Sequence, residues 1–325
     1  MREYLEQTTW DIYCNVESFY LDNAIEVACN SDINTIIVGS SYAKYGINPT
    51  YLQARAINLG LSSQDIYYSC KIAQKIINAN KSIKNIVLPT AYYTFYSDLS
   101  RAVSAYARQI VATTYVRALG DAHHATNLPE VELKLPEQLW FLDPEKTYTY
   151  LCRKEFQRRN GKSAHLLRTF QETTWTELYQ FPRNDAESFQ LYSSQKQRYW
   201  EQLSPDVQMT LGYERAQEHN KLYLHTETEA ENIKIFDEFV TFCNMKEVNL
   251  HVLLMPQTDE YIQGLNPNFR PRYFQALDST KGDFHFINYL ETSLFTSYDF
   301  SDPDHLNERG SEKVSTILDE ILESR

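Results

Sequence analysis

The stretch INTIIVGSSYAKYGI, residues 33–47, decides the fold, because a run of mostly apolar, β-branched residues ends in Gly39 and two serines. Such a run is typical of a strand buried in a parallel sheet. Further strand-like runs follow at 54–60, 84–93, 249–256 and 284–290. Helical patterns lie at 66–80, 99–119, 230–245, 266–278 and from 308 onward. This order predicts an α/β fold, a three-layer α/β/α sandwich with a mainly parallel sheet.

The segment 120–228 breaks this order and predicts a separate part of the protein. It is proline-containing, holds three of the four tryptophans, and includes the basic stretch RKEFQRRNGKSAHLLR at 153–168. We expect a mainly helical insertion or cap subdomain here, inside an α/β domain made of 1–119 and 229–325. The basic stretch is either a solvated helical face or a docking site for an anionic glycan or phosphate-bearing donor. In the second case Trp140, Trp175 and Trp200 could stack on sugar rings.

The composition excludes several classes of partner. A formal net charge of −12 repels nucleic acid and anionic membrane surfaces, so we expect neither as a partner. The sequence shows neither a signal-peptide pattern nor an apolar window long enough for a membrane span. Five cysteines without a CxxC pair suit a reducing compartment, and we expect a cytoplasmic protein.

Two adjacent histidines could suggest a metal site. His123 and His124 lie close to Asp121, but neighbouring side chains on a helix or strand diverge and rarely bind one ion. We therefore expect no metal site.

Two weak signals at opposite ends of the chain indicate nucleophilic chemistry. Asp302 and His305 are three residues apart before the last helix, a spacing that in a turn lets the carboxylate hold Nδ1 while Nε2 faces a nucleophile. Alone, this pattern is more often a capping aspartate and a surface histidine. Ser41 follows the first strand, at the sheet edge where open α/β folds bind ligands, although GSS alone is more often a plain or phosphate-binding turn. Together the two signals favour a nucleophile and its base.

Three blocks of the sequence resemble the SGNH or GDSL hydrolase superfamily, in particular its polysaccharide-modifying and DltD-like members. They are IIVGSSYAKYG at 36–46, NLGLSSQ at 58–64 and DPDHLNERG at 302–310. The resemblance covers roughly 30–100 and 228–325. It implies that Ser41 is the nucleophile, that His305 is the general base and then acid, and that Asp302 orients His305.

The resemblance also implies an oxyanion hole made by the backbone N–H groups of Ser41 and Gly60. The family's usual aspartate before the nucleophile is Ser40 here. Its third block, G-x-N-D, is absent after the strand at 84–89, where the sequence reads LPTAYYTFYSD. Tyr92 is a candidate for the missing donor. Gln257, in MPQT at 255–258, is expected to line the same crevice or simply to form a turn.

These residues predict acyl-ester chemistry on a carbohydrate by an esterase or O-acyltransferase. We expect O-acetyl transfer to, or removal from, a polysaccharide through an acyl-enzyme on Ser41. No cofactor is expected, except that a transferase would need an acyl donor such as acetyl-CoA. The alternative is a non-catalytic protein of the same fold that binds glycans or assists capsule or polysaccharide assembly, an alternative that the missing asparagine favours.

Overall fold

The structure is a computed structural model that describes residues 17, 18, 20–129 and 200–323. Its contacts divide the chain into two units: Ala28–Asp98 with Gln197–Arg325, and Met1–Val27 with Leu99–Lys196. This division differs from the predicted one, because residues 200–228 belong with the sheet and 99–119 do not. Most of the predicted insertion, at 130–199, lies outside the described residues.

A five-stranded, all-parallel sheet forms the centre of the first unit, and the predicted α/β fold with a three-layer α/β/α arrangement is confirmed. The strand order is β2-β1-β3-β4-β5. The strands are β1 (Thr35–Ile37), β2 (Ala56–Asn58), β3 (Asn85–Thr90), β4 (Asn249–Leu254) and β5 (His285–Asn288). The register places Thr35 beside both Ala56 and Asn85. All three residues of β1 are buried, as the apolar run predicts.

Seven α-helices belong to the described part of this unit after β1. They are α1 (Ser41–Gly46), α2 (Ile66–Ala79), α3 (Pro205–Asn220), α4 (Thr226–Met245), α5 (Asp259–Gly264), α6 (Phe269–Asp278) and α7 (Glu308–Glu323). Asp65 caps α2, since its side chain accepts a hydrogen bond from the Tyr68 N–H. Helices α1, α3 and α5 do not appear among the sequence patterns.

The helices cover both faces of the sheet. Ile37 of β1 and Val87 of β3 share a buried cluster with residues of α1 and with Val314 and Leu318 of α7. Successive side chains of a strand point to opposite faces, so Ile36 and Ile86 face the other layer. In that layer, helices α2 and α4 contact each other.

The order of strands creates a crevice where the site can form. The chain moves from β1 to β2 on one side, then crosses back to β3 on the other side of β1. In open parallel sheets, ligands bind at the carboxyl ends of two strands that are connected in opposite directions. Ser41 follows β1 directly, and Tyr93 follows β3 closely.

The second unit is described only in part. Its helical segment runs through Ala105–Ile110, a π-helical stretch Val111–Val116 and Arg117–Leu119, and ends at Gly120 with a positive φ of 70°. The helix predicted at 99–119 therefore begins only at Ala105, and the first residues of that range form a separate 3₁₀ turn at Leu99–Arg101. The His123 and His124 rings contact each other with centroids 3.9 Å apart and planes tilted by 36°. Among the helices that the structure describes in both units, none has the length and apolar character that crossing a membrane requires.

Candidate active site

The turn after β1 gives the two adjacent serines different roles. Gly39 has a φ of +141°, and a Cβ there would lie 3.3 Å from both the Ala43 Cβ and the Pro89 carbonyl oxygen. Ser40 is the N-cap of α1, where its side chain accepts a hydrogen bond of 3.4 Å from the Tyr42 N–H. Ser41 is the first residue of α1, so its hydroxyl is free of capping and faces the crevice side of the turn.

The D-x-x-H segment folds as a tight loop ahead of α7. The Asp302 Oδ1 accepts hydrogen bonds from the N–H groups of Asp304, at 3.1 Å, and His305, at 2.9 Å. Antiparallel pairing of Phe300 with Leu306 closes the loop. Asn307 then starts the helix by accepting a hydrogen bond from the Gly310 N–H. The loop thereby fixes the backbone from which the imidazole projects.

The three residues predicted to form a catalytic triad lie together. The His305 Nε2 is 2.7 Å from the Ser41 Oγ, and its Nδ1 is 3.0 Å from both carboxylate oxygens of Asp302. The His305 side chain is 13% exposed, whereas that of Asp302 is 46% exposed. The arrangement lets Asp302 hold the imidazole while Nε2 accepts the serine proton.

A second carboxylate, Asp304, lies buried beside the imidazole and was not predicted. Its Oδ1 is 3.5 Å from the His305 Nδ1 and 3.0 Å from the Arg215 Nε. Its Oδ2 accepts a hydrogen bond of 3.0 Å from the Tyr42 hydroxyl. Asp304 therefore connects three separate elements: the His305 loop, α1 and α3.

Helix α3 reaches the site because it packs unusually close to α5. A Cβ on Gly212 would lie 2.7 Å from the Glu260 Cβ, and one on Gly264 would lie 3.0 Å from the Ala216 Cβ. Two glycines at this contact let the helix backbones approach. Arg215 and His219 are thus brought to the site from a segment distant in sequence.

A buried polar cluster continues from Tyr42 away from the serine. The Tyr42 hydroxyl accepts hydrogen bonds from the Tyr93 hydroxyl, at 3.0 Å, and from the Gln257 Nε2, at 2.8 Å. The Tyr93 ring stacks on His219 with centroids 4.0 Å apart, and the His219 Nδ1 is 2.6 Å from the Tyr261 hydroxyl. Gln257, predicted to line the crevice, is 6% exposed and supports Tyr42 instead.

The charges of this cluster act on His305. Burial lowers the pKa of His305, but the nearby Asp304 and Asp302 carboxylates outweigh it and raise the pKa to about 9. Burial raises the pKa of Asp304, but His305 and Arg215 hold it well below its usual range. Burial and Arg215 lower the pKa of His219 to about 3, so His219 is neutral near pH 7.

The structure places Gly60 differently from its predicted role. The Gly60 N–H donates a hydrogen bond of 2.9 Å to the Asn58 Oδ1, and a Cβ on Gly60 would lie 2.6 Å from the Ala43 Cβ. The Asn58 Nδ2 in turn donates to the carbonyl groups of Ala43 and Ile47, both at 2.8 Å. Gly60 is thus needed for close packing on α1. Its N–H donates to the Asn58 side chain instead of facing an oxyanion.

Tyr92 also lies elsewhere. Its hydroxyl donates a hydrogen bond of 2.8 Å to Glu291, which pairs with Arg270, and its ring contacts Phe274. The neighbouring residue Tyr93 joins the cluster beside Ser41 instead. The predicted donor position was therefore one residue away from the tyrosine that the strand end directs to the site.

The surface around the triad is a small cleft. Its lining comes from α1, the end of β4 and the His305 loop, and includes Ser41, Tyr45, Met255, Pro256 and His305. Trp200, considered above for sugar stacking, is 1% exposed and packs in the core. Trp140, Trp175 and the basic stretch at 153–168 lie outside the described residues.

The acidic residues of the loop lie close together beside a positively charged side chain. Ligand atoms of Asp302, Asp304 and His305 lie within 4.8 Å of one another. The guanidinium of Arg215 already provides the positive charge beside Asp304. The described contacts of these groups are thus hydrogen bonds and ion pairs with one another and with Arg215.

The comparisons with known proteins add no family. No protein-family model matches the chain, and no curated protein matches it.

Proposed function

We propose that the protein is a serine-dependent esterase or O-acyltransferase with Ser41 as its nucleophile. The observation that carries this proposal is the 2.7 Å contact between the His305 Nε2 and the Ser41 Oγ, with Asp302 on the opposite ring nitrogen. A nucleophile, a base and an orienting carboxylate in this order can activate a hydroxyl. The sequence resemblance to SGNH hydrolases supports the same assignment of residues.

The reaction follows from this geometry. Neutral His305 accepts the Ser41 proton as Oγ attacks the carbonyl carbon of an ester, which gives a tetrahedral oxyanion. His305 then donates the proton to the leaving alcohol, and the acyl group stays on Ser41. Water or a second hydroxyl, deprotonated by His305, releases the acyl group and restores the serine. The Ser41 N–H, at the first position of α1, is the proposed backbone donor to the oxyanion.

The substrate class is a proposal that rests on the sequence resemblance. We propose an O-acetylated carbohydrate, with Tyr45, which is 38% exposed in the cleft, as an aromatic surface beside the reacting ester. No cofactor takes part in this scheme, although a transferase would use an acyl donor such as acetyl-CoA. A cytoplasmic location is proposed on the grounds that Cys29, Cys70 and Cys243 are free thiols.

The test is labelling with a fluorophosphonate probe. Wild type should be labelled and Ser41→Ala should not. The matched control is Ser40→Ala, which removes the N-cap side chain: it should still be labelled, while losing about 1 kcal/mol of stability. Equal labelling of Ser41→Ala and wild type would refute the assignment. Products from an acetyl donor and candidate oligosaccharides separate transfer from hydrolysis, since acetate alone means hydrolysis.

A second candidate function is non-catalytic glycan binding. The engaged Gly60 N–H and the missing third-block asparagine favour it, because both leave the oxyanion with fewer donors. If folded wild type is not labelled between pH 7 and 10 but binds an oligosaccharide by calorimetry, this candidate replaces the enzyme.

A further inference from the structure

A buried carboxylate directly behind the proposed triad, paired with a partly exposed arginine, has no role in the mechanism so far. Asp304 has a side chain 2% exposed, and Arg215 binds it through Nε at 3.0 Å and through a second nitrogen at 3.3 Å. Burying a carboxylate is costly, and an ion pair formed around it is often no more stabilising than apolar residues of the same size. The position of this pair therefore invites a functional explanation.

Besides Arg215, the Asp304 carboxylate contacts groups next to the reacting atoms. Its Oδ1 lies 3.5 Å from the His305 Nδ1, on the same ring nitrogen that Asp302 holds. Its Oδ2 holds the Tyr42 hydroxyl, and Tyr42 is the residue after Ser41. The Tyr42 ring lies 5.5 Å from the His305 ring. One carboxylate thus contacts the base and the helix that carries the nucleophile.

We propose that Asp304, held in place by Arg215, is a second carboxylate partner of His305 and governs when His305 can take the Ser41 proton. The proposal rests on the proposed function for its catalytic meaning, but its first test does not require activity. Asp304 is a positioning residue, since it acts through His305. Asp302 is partly exposed and screened by solvent, whereas Asp304 is buried, so its charge acts on the ring with less screening.

Other charged and titratable groups around His305 come from each element packed there. Asp302 lies in its own loop, and the remaining groups are Tyr42 and Tyr45 of α1, Tyr93 after β3, Arg215, Glu218 and His219 of α3, and Tyr261 of α5. Burial holds Tyr42, Tyr93 and Tyr261 protonated, since it raises the pKa of each. Charge changes at His305 therefore depend mainly on the two carboxylates and Arg215.

The experiment follows the titration of His305 by NMR with imidazole-labelled histidine, the signal being assigned by its loss in His305→Gln. Asp304→Asn removes the negative charge and should lower the titration midpoint by about one pH unit or more. Arg215→Gln removes the positive charge and should raise the midpoint. Opposite shifts cannot come from general destabilisation, so each variant supports the other if one of them folds poorly.

The matched control is Glu229→Gln. Glu229 is also a buried carboxylate held by an arginine, Arg272, and by a tyrosine hydroxyl, that of Tyr96, but it does not contact His305. In Glu229→Gln, the titration midpoint of His305 should stay within about 0.2 pH unit of the wild-type value. A folded Asp304→Asn with an unchanged midpoint, or an Arg215→Gln midpoint that falls, would overturn the proposal.

Activity separates this proposal from the proposed function. If wild type reacts with the fluorophosphonate, the labelling rate of Asp304→Asn should rise at a lower pH than that of wild type, in parallel with the lower NMR midpoint. If wild type is not labelled yet the NMR midpoints move as expected, the proposed function fails while the Asp304 pairing stands. If labelling occurs but its pH profile is the same in Asp304→Asn, the pairing has no role in the reaction and the proposal is wrong.

Discussion

Ser41 should become more reactive as the pH rises from neutrality to about 9. The reaction needs neutral His305, and the Asp304 and Asp302 carboxylates raise the pKa of this histidine to about 9. With that value, about 1% of the imidazole is neutral at pH 7. The labelling rate should therefore rise about tenfold per pH unit between pH 6 and 8, and approximately 100-fold in total from pH 7 to the level it reaches above pH 9.

The assay is the second-order rate of fluorophosphonate labelling from pH 6 to 10, corrected for hydrolysis of the reagent. His305→Gln supplies the baseline, since it has no titrating base at this position. A rate that is already level at pH 7 would refute the reasoning, because it would show that the carboxylates do not hold the proton on His305.

The same shift affects stability, with a defined sign. The pKa of His305 is higher in the folded protein than its ordinary value of 6.5, so its contribution is complete below pH 6.5 and is lost as the pH rises through 9. A shift of this size corresponds to at most about 3 kcal/mol. Urea unfolding at several pH values should show wild type losing stability relative to His305→Gln in this window. Parallel losses in the two proteins would contradict the expectation.

Three further predictions concern the packing and the hydrogen bonds around the site. Asn58→Ala should cost about 3 kcal/mol in urea unfolding, because it removes three buried hydrogen bonds, those to the carbonyl groups of Ala43 and Ile47 and that from the Gly60 N–H; a loss below 1 kcal/mol would contradict this account. Gly212→Ala should cost roughly 1–3 kcal/mol in thermal unfolding, because its Cβ would lie 2.7 Å from the Glu260 Cβ; an unchanged melting temperature would refute the close helix contact. Tyr93→Phe should slow Ser41 labelling while Tyr92→Phe leaves it unchanged, since only the Tyr93 hydroxyl bonds to the site; equal rates in the two variants would count against the cluster.

The sheet could be predicted because its signal is local. Strands of a parallel sheet are buried on both faces, so their sequences are nearly continuous apolar runs, as in β1 and β4. Helix α3 gave no such signal, because its buried residues include Gly212, Ala216 and His219, and a contact made through small residues leaves little apolar periodicity. Helices α1 and α5 have only six residues each, too few for a helical period to stand out.

The candidate site likewise contains residues that a local sequence signal indicates and residues that no local signal indicates. Ser41, Asp302 and His305 could be proposed together because each stands in a short motif with a defined chemical role. Asp304 stands next to His305 in the same motif, yet its importance depends on Arg215, 89 positions away in sequence. No local pattern indicates which charged side chain of a helix will neutralise a buried carboxylate in a distant loop.

Gly60 shows why a motif can identify a residue and still not settle its role. The glycine is required here, since any Cβ would meet the Ala43 Cβ of α1 at 2.6 Å. A backbone N–H, however, serves whichever acceptor the fold brings to it, and here Asn58 accepts it at 2.9 Å. The pairing of Asn58 with both Gly60 and α1 holds the nucleophile turn in place. We therefore expect Gly60 to contribute to Ser41 chemistry through this support of α1, with the Ser41 N–H as the proposed donor to the oxyanion.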